Sequence, residues 1–305
     1  YYASMMGTTA EEMWVQDAGD GKTYEESMKD SILENLENLY VISQHAADYE
    51  VSLTEDEQKA IEDAAAKFSE DNTDDAKEIV SGYQKHIEKF LELSTIQNKM
   101  DSKMREGVDE EVSDEEAAQK SMQYVYFSYT TTDDTGNSTE LTDEEKENLK
   151  TSAQSLADRV KNGEDLETVA GGLGVEVQTA TFDSESTTPN ENLVTAADAL
   201  AAEGDVTDVV ETDSGLYVAK LTSLLDREAT DQEKTNIIEQ RKQDQYDSLL
   251  EEWRDASDIK VNEKVWKKVD FDDTGVTIIT SQEETSGDGA TDGAAAEDGS
   301  ADTAE

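Results

Sequence analysis

Five helix-start signals constrain the fold of this 305-residue chain more than any other feature of its sequence. In each of them a Ser or Thr stands three residues before a Glu, so that each side chain can bond the backbone N–H of the other residue and start a helix. The five pairs are Thr23/Glu26, Thr54/Glu57, Ser113/Glu116, Thr142/Glu145 and Thr230/Glu233. Together they predict a largely helical protein.

Apolar residues recur at helical spacing after these signals. The period predicts helices at 24–49, 55–70, 74–80, 84–105, 143–162 and 231–256. The apolar side of the first helix is formed by Met28, Ile32, Leu36, Leu39 and Tyr40. The N-terminal third of the chain is therefore expected to be helical throughout.

The segment "SMQYVYFSY" at 121–129 breaks this period. Both of its sides are apolar or aromatic, because Tyr124 and Tyr126 fall on one side and Val125, Phe127 and Tyr129 on the other. Such a segment is typical of a central strand that is covered on both faces.

Strand and helix patterns then alternate up to residue 225. Period-two segments at 175–182 and 208–221 follow the helix at 143–162, and the second of them turns at 213–215. From residue 121 to residue 225 the predicted elements follow the order β, α, α, β, α, β, β, which describes a compact domain of ordinary size. The sequence as a whole predicts the α+β class.

The composition excludes several functions. With 75 acidic and 25 basic residues, the surface repels nucleic acid and anionic membranes. The chain has no cysteine, so disulfides and thiol nucleophiles are not available. No apolar run approaches the roughly 18 residues that span a bilayer. Residues 281–305 hold eight acidic residues and neither a basic nor an aromatic one, and they are expected to be disordered.

Metal and cofactor sites are not predicted. The two histidines, His45 and His86, fall in helical segments and lack the His-x-x-x-His spacing that would support zinc. The acidic loops at 17–26 and 133–145 do not follow the ligand register of an EF-hand. We therefore expect no metal and no cofactor.

Three segments resemble one family: "VKNGEDLETVA" (160–170), "AADALAAEGDVTDVVETDSGLYVAKL" (196–221) and "SDIKVNEKVWKKV" (257–269). They are similar to the exported parvulin-type foldases, the PrsA and SurA group of peptidyl-prolyl isomerases. The resemblance implies a helical SurA/PrsA-like chaperone domain, made of N-terminal helices and a C-terminal helix, with an inserted parvulin-like α/β domain. The implied divisions are an N-terminal helical domain at 1–120, the parvulin-like domain at 121–225, a returning helix and strand at 226–270, and an acidic disordered tail at 271–305.

The same resemblance implies a catalytic pair of histidines, in the first and the last strand of the inserted domain. Residues 121–225 contain no histidine, and the two positions fall on Tyr124 or Val125 and on Tyr217. In the proline pocket of the family, Leu193 stands where a Phe is usual and Phe182 stands near an expected Trp. The candidate substrate-binding residues are therefore Tyr124, Val125, Phe127, Phe182, Leu193 and Tyr217.

These features leave three functions open. The favoured one is a foldase and chaperone outside the cytoplasm, which binds unfolded or partly folded exported polypeptides and whose isomerase activity is weak or lost. The second is an active peptidyl-prolyl cis-trans isomerase with a remodelled pocket around Val125, Phe127, Phe182, Leu193 and Tyr217. The third is a structural cell-surface protein without a client. Because the chain starts at Tyr1 without an initiator Met, we also expect a missing upstream segment, which could carry a lipid anchor.

Overall fold

The computed structural model of the chain describes residues 9–19, 21–132, 136–269, 271 and 278–280. Its helices and strands, in chain order, are α1 Ala10–Trp14, β1 Asp17–Gly19, β2 Lys22–Thr23, α2 Tyr24–His45, α3 Glu55–Asp71, α4 Asp74–Ile79, α5 Gln84–Met104, β3 Lys120–Ser128, β4 Thr130–Thr132, β5 Ser138–Glu140, α6 Asp143–Lys161, α7 Leu166–Leu173, β6 Val177–Phe182, α8 Glu191–Asp198, β7 Val210–Thr212, β8 Gly215–Ser223, α9 Arg227–Ala256 and α10 Glu263–Trp266. A short 3-10 helix at Ala46–Tyr49 follows α2 directly. The mixture of helices with antiparallel strands confirms the predicted α+β class.

Three of the predicted helix starts are confirmed in full. Thr23, Thr54 and Thr142 each accept a hydrogen bond from the backbone N–H of the Glu three residues on, and that Glu side chain accepts one from the Thr N–H in return. These reciprocal bonds satisfy donors that a helix leaves open at its first turn. They begin α2, α3 and α6 at the predicted positions.

The other two predicted helix starts are wrong. Ser113 Oγ accepts a hydrogen bond from the N–H of Glu116, but the segment forms only a turn. Thr230 lies inside α9, whose first residue is Arg227. Asp226 takes the capping position there, since its Oδ1 accepts a hydrogen bond from Ala229 N–H at 3.1 Å.

Thr230 has a different role from the one that its spacing to Glu233 predicted. Its side chain is fully buried, and its hydroxyl accepts a hydrogen bond from the backbone N–H of Gln119 at 3.1 Å. The Thr230 side chain therefore makes a tertiary contact, although the sequence pattern predicted that it would cap a helix.

The chain divides into two compact units. The helical unit consists of Tyr1–Glu106 and Gln245–Glu305, and the sheet unit consists of Gly107–Asp244. The division on the C-terminal side falls within α9. The sheet unit thus begins earlier and ends later than the domain predicted at 121–225.

An arginine explains the larger size of the sheet unit. Arg241 donates to the carbonyl oxygens of Asp109 and Glu111 at 2.7 and 3.1 Å, and its guanidinium pairs with the carboxylate of Glu116 at 2.6 Å. These bonds tie the segment before β3 to α9. Sequence periodicity carries no signal for such a contact between an arginine and backbone carbonyls.

The core of the helical unit contains residues of α2, α5 and the end of α9. Val41, Ile42, Met100, Met104 and Trp253 are buried together in one cluster. The predicted apolar side of α2 is only partly right, because Leu39 is buried whereas Met28, Ile32 and Tyr40 are exposed. The helix turns Val41 and Ile42 into the core instead.

A four-stranded antiparallel sheet, in the strand order β6-β3-β8-β7, forms the middle of the sheet unit. Its side chains alternate between two faces, as in any strand. The α6 face packs against α6 and α7, and the α8 face packs against α8. Both faces of β3 are therefore covered, as the sequence of 121–129 predicted.

Candidate functional site

Three tyrosines from the two central strands lie together on the α8 face. Tyr126 of β3 and Tyr217 of β8 are register partners, and their rings stack with centroids 4.5 Å apart and planes 28° apart. The ring of Tyr124 lies 6.2 Å from that of Tyr217. We call Tyr124, Tyr126 and Tyr217 the tyrosine cluster.

Gly215, at the first position of β8, makes room for this cluster. A Cβ atom built on Gly215 would lie 2.2 Å from the backbone oxygen of Phe127 and 2.6 Å from the ring of Tyr126. The hydroxyl of Tyr126 donates a hydrogen bond to the carbonyl oxygen of Ser214 at 2.7 Å. The turn before β8 therefore holds Tyr126 by its hydroxyl, and the missing side chain of Gly215 leaves space for its ring.

The hydroxyls of the other two tyrosines differ in their partners. Tyr124 donates its hydroxyl hydrogen to Gln178 Oε1 on the neighbouring strand β6 at 2.5 Å. The hydroxyl of Tyr217 makes no hydrogen bond to any residue that the structure describes. Burial raises the pKa of both phenols, and the nearby phenols raise the pKa of Tyr217 further. Both groups therefore remain protonated near neutral pH and can act only as hydrogen-bond donors or weak acceptors there.

The structure brings together four of the six predicted site residues. Tyr124, Phe182, Leu193 and Tyr217 belong to the buried cluster of the α8 face. Val125 and Phe127 belong to the cluster of the α6 face instead. Because neighbours along a strand point to opposite faces, the six predicted residues are divided between the two faces of the sheet.

The same alternation separates the two positions that were predicted for the first histidine. Tyr124 shares the α8 face with Tyr217, whereas Val125 does not. Of the two, only Tyr124 therefore lies beside Tyr217, with its ring 6.2 Å away.

The α8 face is filled rather than open. Phe182 and Leu193 are both 0% exposed, and Tyr124 and Tyr217 are buried as well. Leu193 lies in the first turn of α8, where Asn190 caps the helix by accepting hydrogen bonds from the N–H groups of Asn192 and Leu193. These four predicted site residues thus form a packed part of the core in this conformation.

Two residues that contribute to this site are not among the six predicted ones. Tyr126 was predicted on the same side of the strand as Tyr124, and period-two alternation was a sufficient signal to include it. Nothing in the sequence indicates that Gln178 belongs to the site, because its hydrogen bond to Tyr124 depends on the pairing of β3 with β6.

The two histidines lie in the helical unit. His45 stacks on Trp253 with ring centroids 4.2 Å apart, and its Nδ1 lies 3.1 Å from Asp48 Oδ2. His86 Nδ1 lies 2.9 Å from the carbonyl oxygen of Ser81. In the described part of the chain, no three His, Asp or Glu side chains are arranged to hold a metal ion.

One protein family matches the sheet unit. Residues 130–223 match the model of the rotamase family described as the PPIC-type PPIase domain. The match includes Tyr217 in β8 and starts just after β3, so that Tyr124 lies outside it. The chain therefore contains a parvulin-type peptidyl-prolyl isomerase domain, as the resemblance of its sequence predicted.

Similarity to solved structures is weaker. The foldase protein PrsA from Streptococcus pneumoniae is 20% identical, with 83% of this chain and 97% of that chain covered and a TM-score of 0.33. The peptidylprolyl isomerase PrsA from Bacillus cereus is 16% identical, with 84% and 97% covered and a TM-score of 0.34. A comparison with curated proteins gives no match.

Among the described residues, no helix is long and apolar enough to cross a membrane.

Proposed function

We propose that the chain is a parvulin-type foldase that binds unfolded or partly folded polypeptides outside the cytoplasm and whose isomerase activity is weak or lost. The observation that carries this proposal is the tyrosine cluster. No histidine occurs anywhere in residues 107–244. The places where the family resemblance expects the catalytic pair fall on Tyr124 or Val125 and on Tyr217, and of these Tyr124 and Tyr217 share the α8 face. The fold of the isomerase domain is kept while its characteristic side chains are replaced.

Packing of the α8 face supports the same conclusion. Rotation about a prolyl amide has a barrier of about 18–20 kcal/mol, and an isomerase lowers it by binding the twisted amide better than the planar one. A proline ring needs an apolar surface to rest on. Phe182 and Leu193, the two residues proposed to provide it, have no exposed surface.

The proposed partners are exported polypeptides, and the proposed location is outside the cytoplasm, in a secreted or cell-surface form. The formal net charge of −50 keeps a complex with an aggregation-prone client soluble and disfavours nucleic acid as a partner. The class of partner and the location both derive from the family resemblance.

Two assays on the intact chain test the two parts of this proposal. In a protease-coupled assay on Xaa-Pro peptides, we expect a rate close to the uncatalysed background. A rate well above background that falls in Leu193→Ala would contradict the loss of activity. Leu156→Ala is the matched control, because Leu156 is equally buried but lies on the α6 face.

The second assay measures aggregation of an unfolded model substrate at stoichiometric ratios of the chain. We expect aggregation to be suppressed. Absence of suppression would contradict the proposed chaperone role and would favour a structural protein without a client.

An active isomerase remains the second candidate, and one observation favours it. The hydroxyl of Tyr217 is protonated at neutral pH and has no partner among the described residues, so it is available to donate a hydrogen bond to a substrate amide. If this candidate is correct, Tyr217→Phe abolishes a measurable isomerase rate while Tyr129→Phe, on the α6 face, leaves it unchanged.

A further inference from the structure

The helical unit holds a short stretch of its own chain by the backbone. Asn72 follows the last residue of α3 as its C-cap, in an extended conformation with φ −110° and ψ 141°. Its Nδ2 donates to the carbonyl oxygen of Phe68 at 2.9 Å, which satisfies one acceptor that the end of a helix leaves open. This bond fixes the orientation of the side-chain amide.

The remaining groups of the same amide bind Ile279. Asn72 Nδ2 donates to the carbonyl oxygen of Ile279 at 3.0 Å, and Asn72 Oδ1 accepts a hydrogen bond from Ile279 N–H at 2.8 Å. Both bonds go to the backbone of residue 279. A side-chain amide that binds both groups of one residue imitates a neighbouring strand and does not depend on the side chain that this residue carries.

An apolar cavity lies beside this contact. Ala64 and Phe68 of α3, Ile87 and Leu91 of α5, and Ile279 itself line a space of about 250 Å³. The rim carries the ion pair of Lys67 and Asp71, whose charges are 2.8 Å apart. Ile279 is 47% exposed, so the segment is held at its backbone while apolar room next to it is left unfilled.

A glycine shapes the wall of this cavity. Gly82 is buried, and a Cβ atom built on it would lie 3.0 Å from the ring of Phe68. The ring of Phe68 therefore lies against the backbone of the loop between α4 and α5. This close approach fixes the apolar wall independently of residues 278–280.

We propose that Asn72 and the adjoining cavity form a binding site for an extended, apolar segment of another polypeptide, and that residues 278–280 occupy this site in cis. The inference rests on the proposed function for the class of partner, but it names a separate site in the helical unit. The segment that is seated there shows the chemistry of the occupant: both backbone groups of Ile279 are paired with Asn72, and the side chains of residues 278–280 are uncharged and β-branched. These three residues lie within the range 271–305 that the sequence predicted as a tail, and Asn72 binds one of them, Ile279.

Competition between the cis segment and a peptide in trans tests the proposal on the full chain. Ile279→Pro removes the N–H that Asn72 Oδ1 binds, whereas Ile279→Ala keeps both backbone groups and is the matched control. The probe is a fluorescently labelled hexapeptide with the chain's own sequence 276–281, Val-Thr-Ile-Ile-Thr-Ser, and the measurement is its anisotropy.

We expect the Pro variant to bind this peptide at least about tenfold more tightly than the wild type or the Ala variant, because a tethered competitor acts at an effective concentration of about millimolar. Adding Asn72→Ala to the Pro variant should return the affinity for the peptide to that of the wild type. A peptide that is N-methylated at its second Ile should not bind any of the variants.

The proposal is overturned if the Pro variant binds the peptide no better than the wild type, or if the Asn72→Ala change leaves the gain intact. If circular dichroism shows that the Pro variant does not fold, the proposal is tested on the wild type by NMR. Excess peptide must then shift the side-chain amide signal of Asn72 in the NMR spectrum, and the N-methylated peptide must not. If the peptide fails to bind while the chain still suppresses aggregation, only this inference fails; if it binds without suppression, only the proposed function fails.

Discussion

The ring of Tyr126 lies stacked on the ring of Tyr217, its register partner across the β3–β8 pair, at a centroid distance of 4.5 Å. Tyr126 is bonded to the turn before β8 through its hydroxyl. Tyr217 is buried, and its hydroxyl makes no hydrogen bond to any described residue. An aromatic pair of this kind contributes about 0.5–1.5 kcal/mol beyond the burial of its area. The stacked pair therefore contributes to the stability of the α8 face.

The hydroxyls of Tyr217 and Tyr124 should differ in their contribution to stability. Tyr217→Phe removes a group without a partner in the described structure, so we expect the free energy of unfolding to stay within about 0.5 kcal/mol of the wild type. Tyr124→Phe removes the hydrogen bond to Gln178 and should lower it by about 1 kcal/mol. Urea denaturation of both variants measures the difference. Equal losses would mean that the Tyr217 hydroxyl has a structural partner.

Gly215 should be intolerant of any side chain. Gly215→Ala places a methyl group 2.2 Å from a backbone oxygen and 2.6 Å from the ring of Tyr126, so that strand or ring must move. We expect a loss of about 2–3 kcal/mol in the free energy of unfolding. Gly171→Ala in α7 is the control: its Cβ has no neighbour within 4 Å, and it should gain up to about 1 kcal/mol from helix propensity. Similar effects at both positions would contradict the steric argument.

Local patterns predicted most of the helices and the central strand of this protein. The reciprocal caps at Thr23, Thr54 and Thr142 involve residues three apart, and the two covered faces of β3 follow from the sequence of that strand alone. Each of these features is determined by residues only a few positions apart. For this reason, the caps and the covered strand could be predicted from the sequence alone.

Features that depend on contacts between distant residues could not be predicted. Thr230 matches a capping box by its spacing, but its hydroxyl accepts a hydrogen bond from the backbone N–H of Gln119, 111 positions away. Asn72 binds Ile279 across 207 positions, and nothing in the sequence near either residue indicates this. The candidate site falls between the two cases, since alternation separates Val125 from Tyr124 but only the pairing of β3 with β8 brings Tyr124 to Tyr217.

Thr230 should stabilise the sheet unit as a buried acceptor and not as a helix cap. Thr230→Val keeps the shape but leaves the N–H of Gln119 without its acceptor, which should cost about 1–3 kcal/mol of the free energy of unfolding. Thr230→Ser keeps the hydroxyl and should keep the amide of Gln119 protected in hydrogen exchange. Exchange at Gln119 that stays slow in the Val variant would argue against this role. Fraying at the start of α9 is instead expected from Asp226→Ala, which removes the cap.

Asp114 should titrate well below an ordinary aspartate. Hydrogen bonds from Lys234 and then from Arg227, the latter at 2.6 Å, lower its pKa from 3.8 to about 2. Since the folded pKa lies below the unfolded one, the stabilisation from this carboxylate is fully present above about pH 4 and is lost as the pH falls toward 2. The difference in unfolding free energy between the wild type and Asp114→Asn should therefore shrink across that interval.

A carboxyl-detected NMR titration measures the pKa of Asp114 directly. Lys234→Gln should raise this pKa most, because the bond from Lys234 is the largest cause of the shift, and Arg227→Gln should raise it less. Lys161→Gln removes the same charge from a lysine that pairs with Asp208, and it should leave the titration of Asp114 unchanged. If all three variants raised the pKa equally, the cause would be the net charge of the chain and not the two bonds to Asp114.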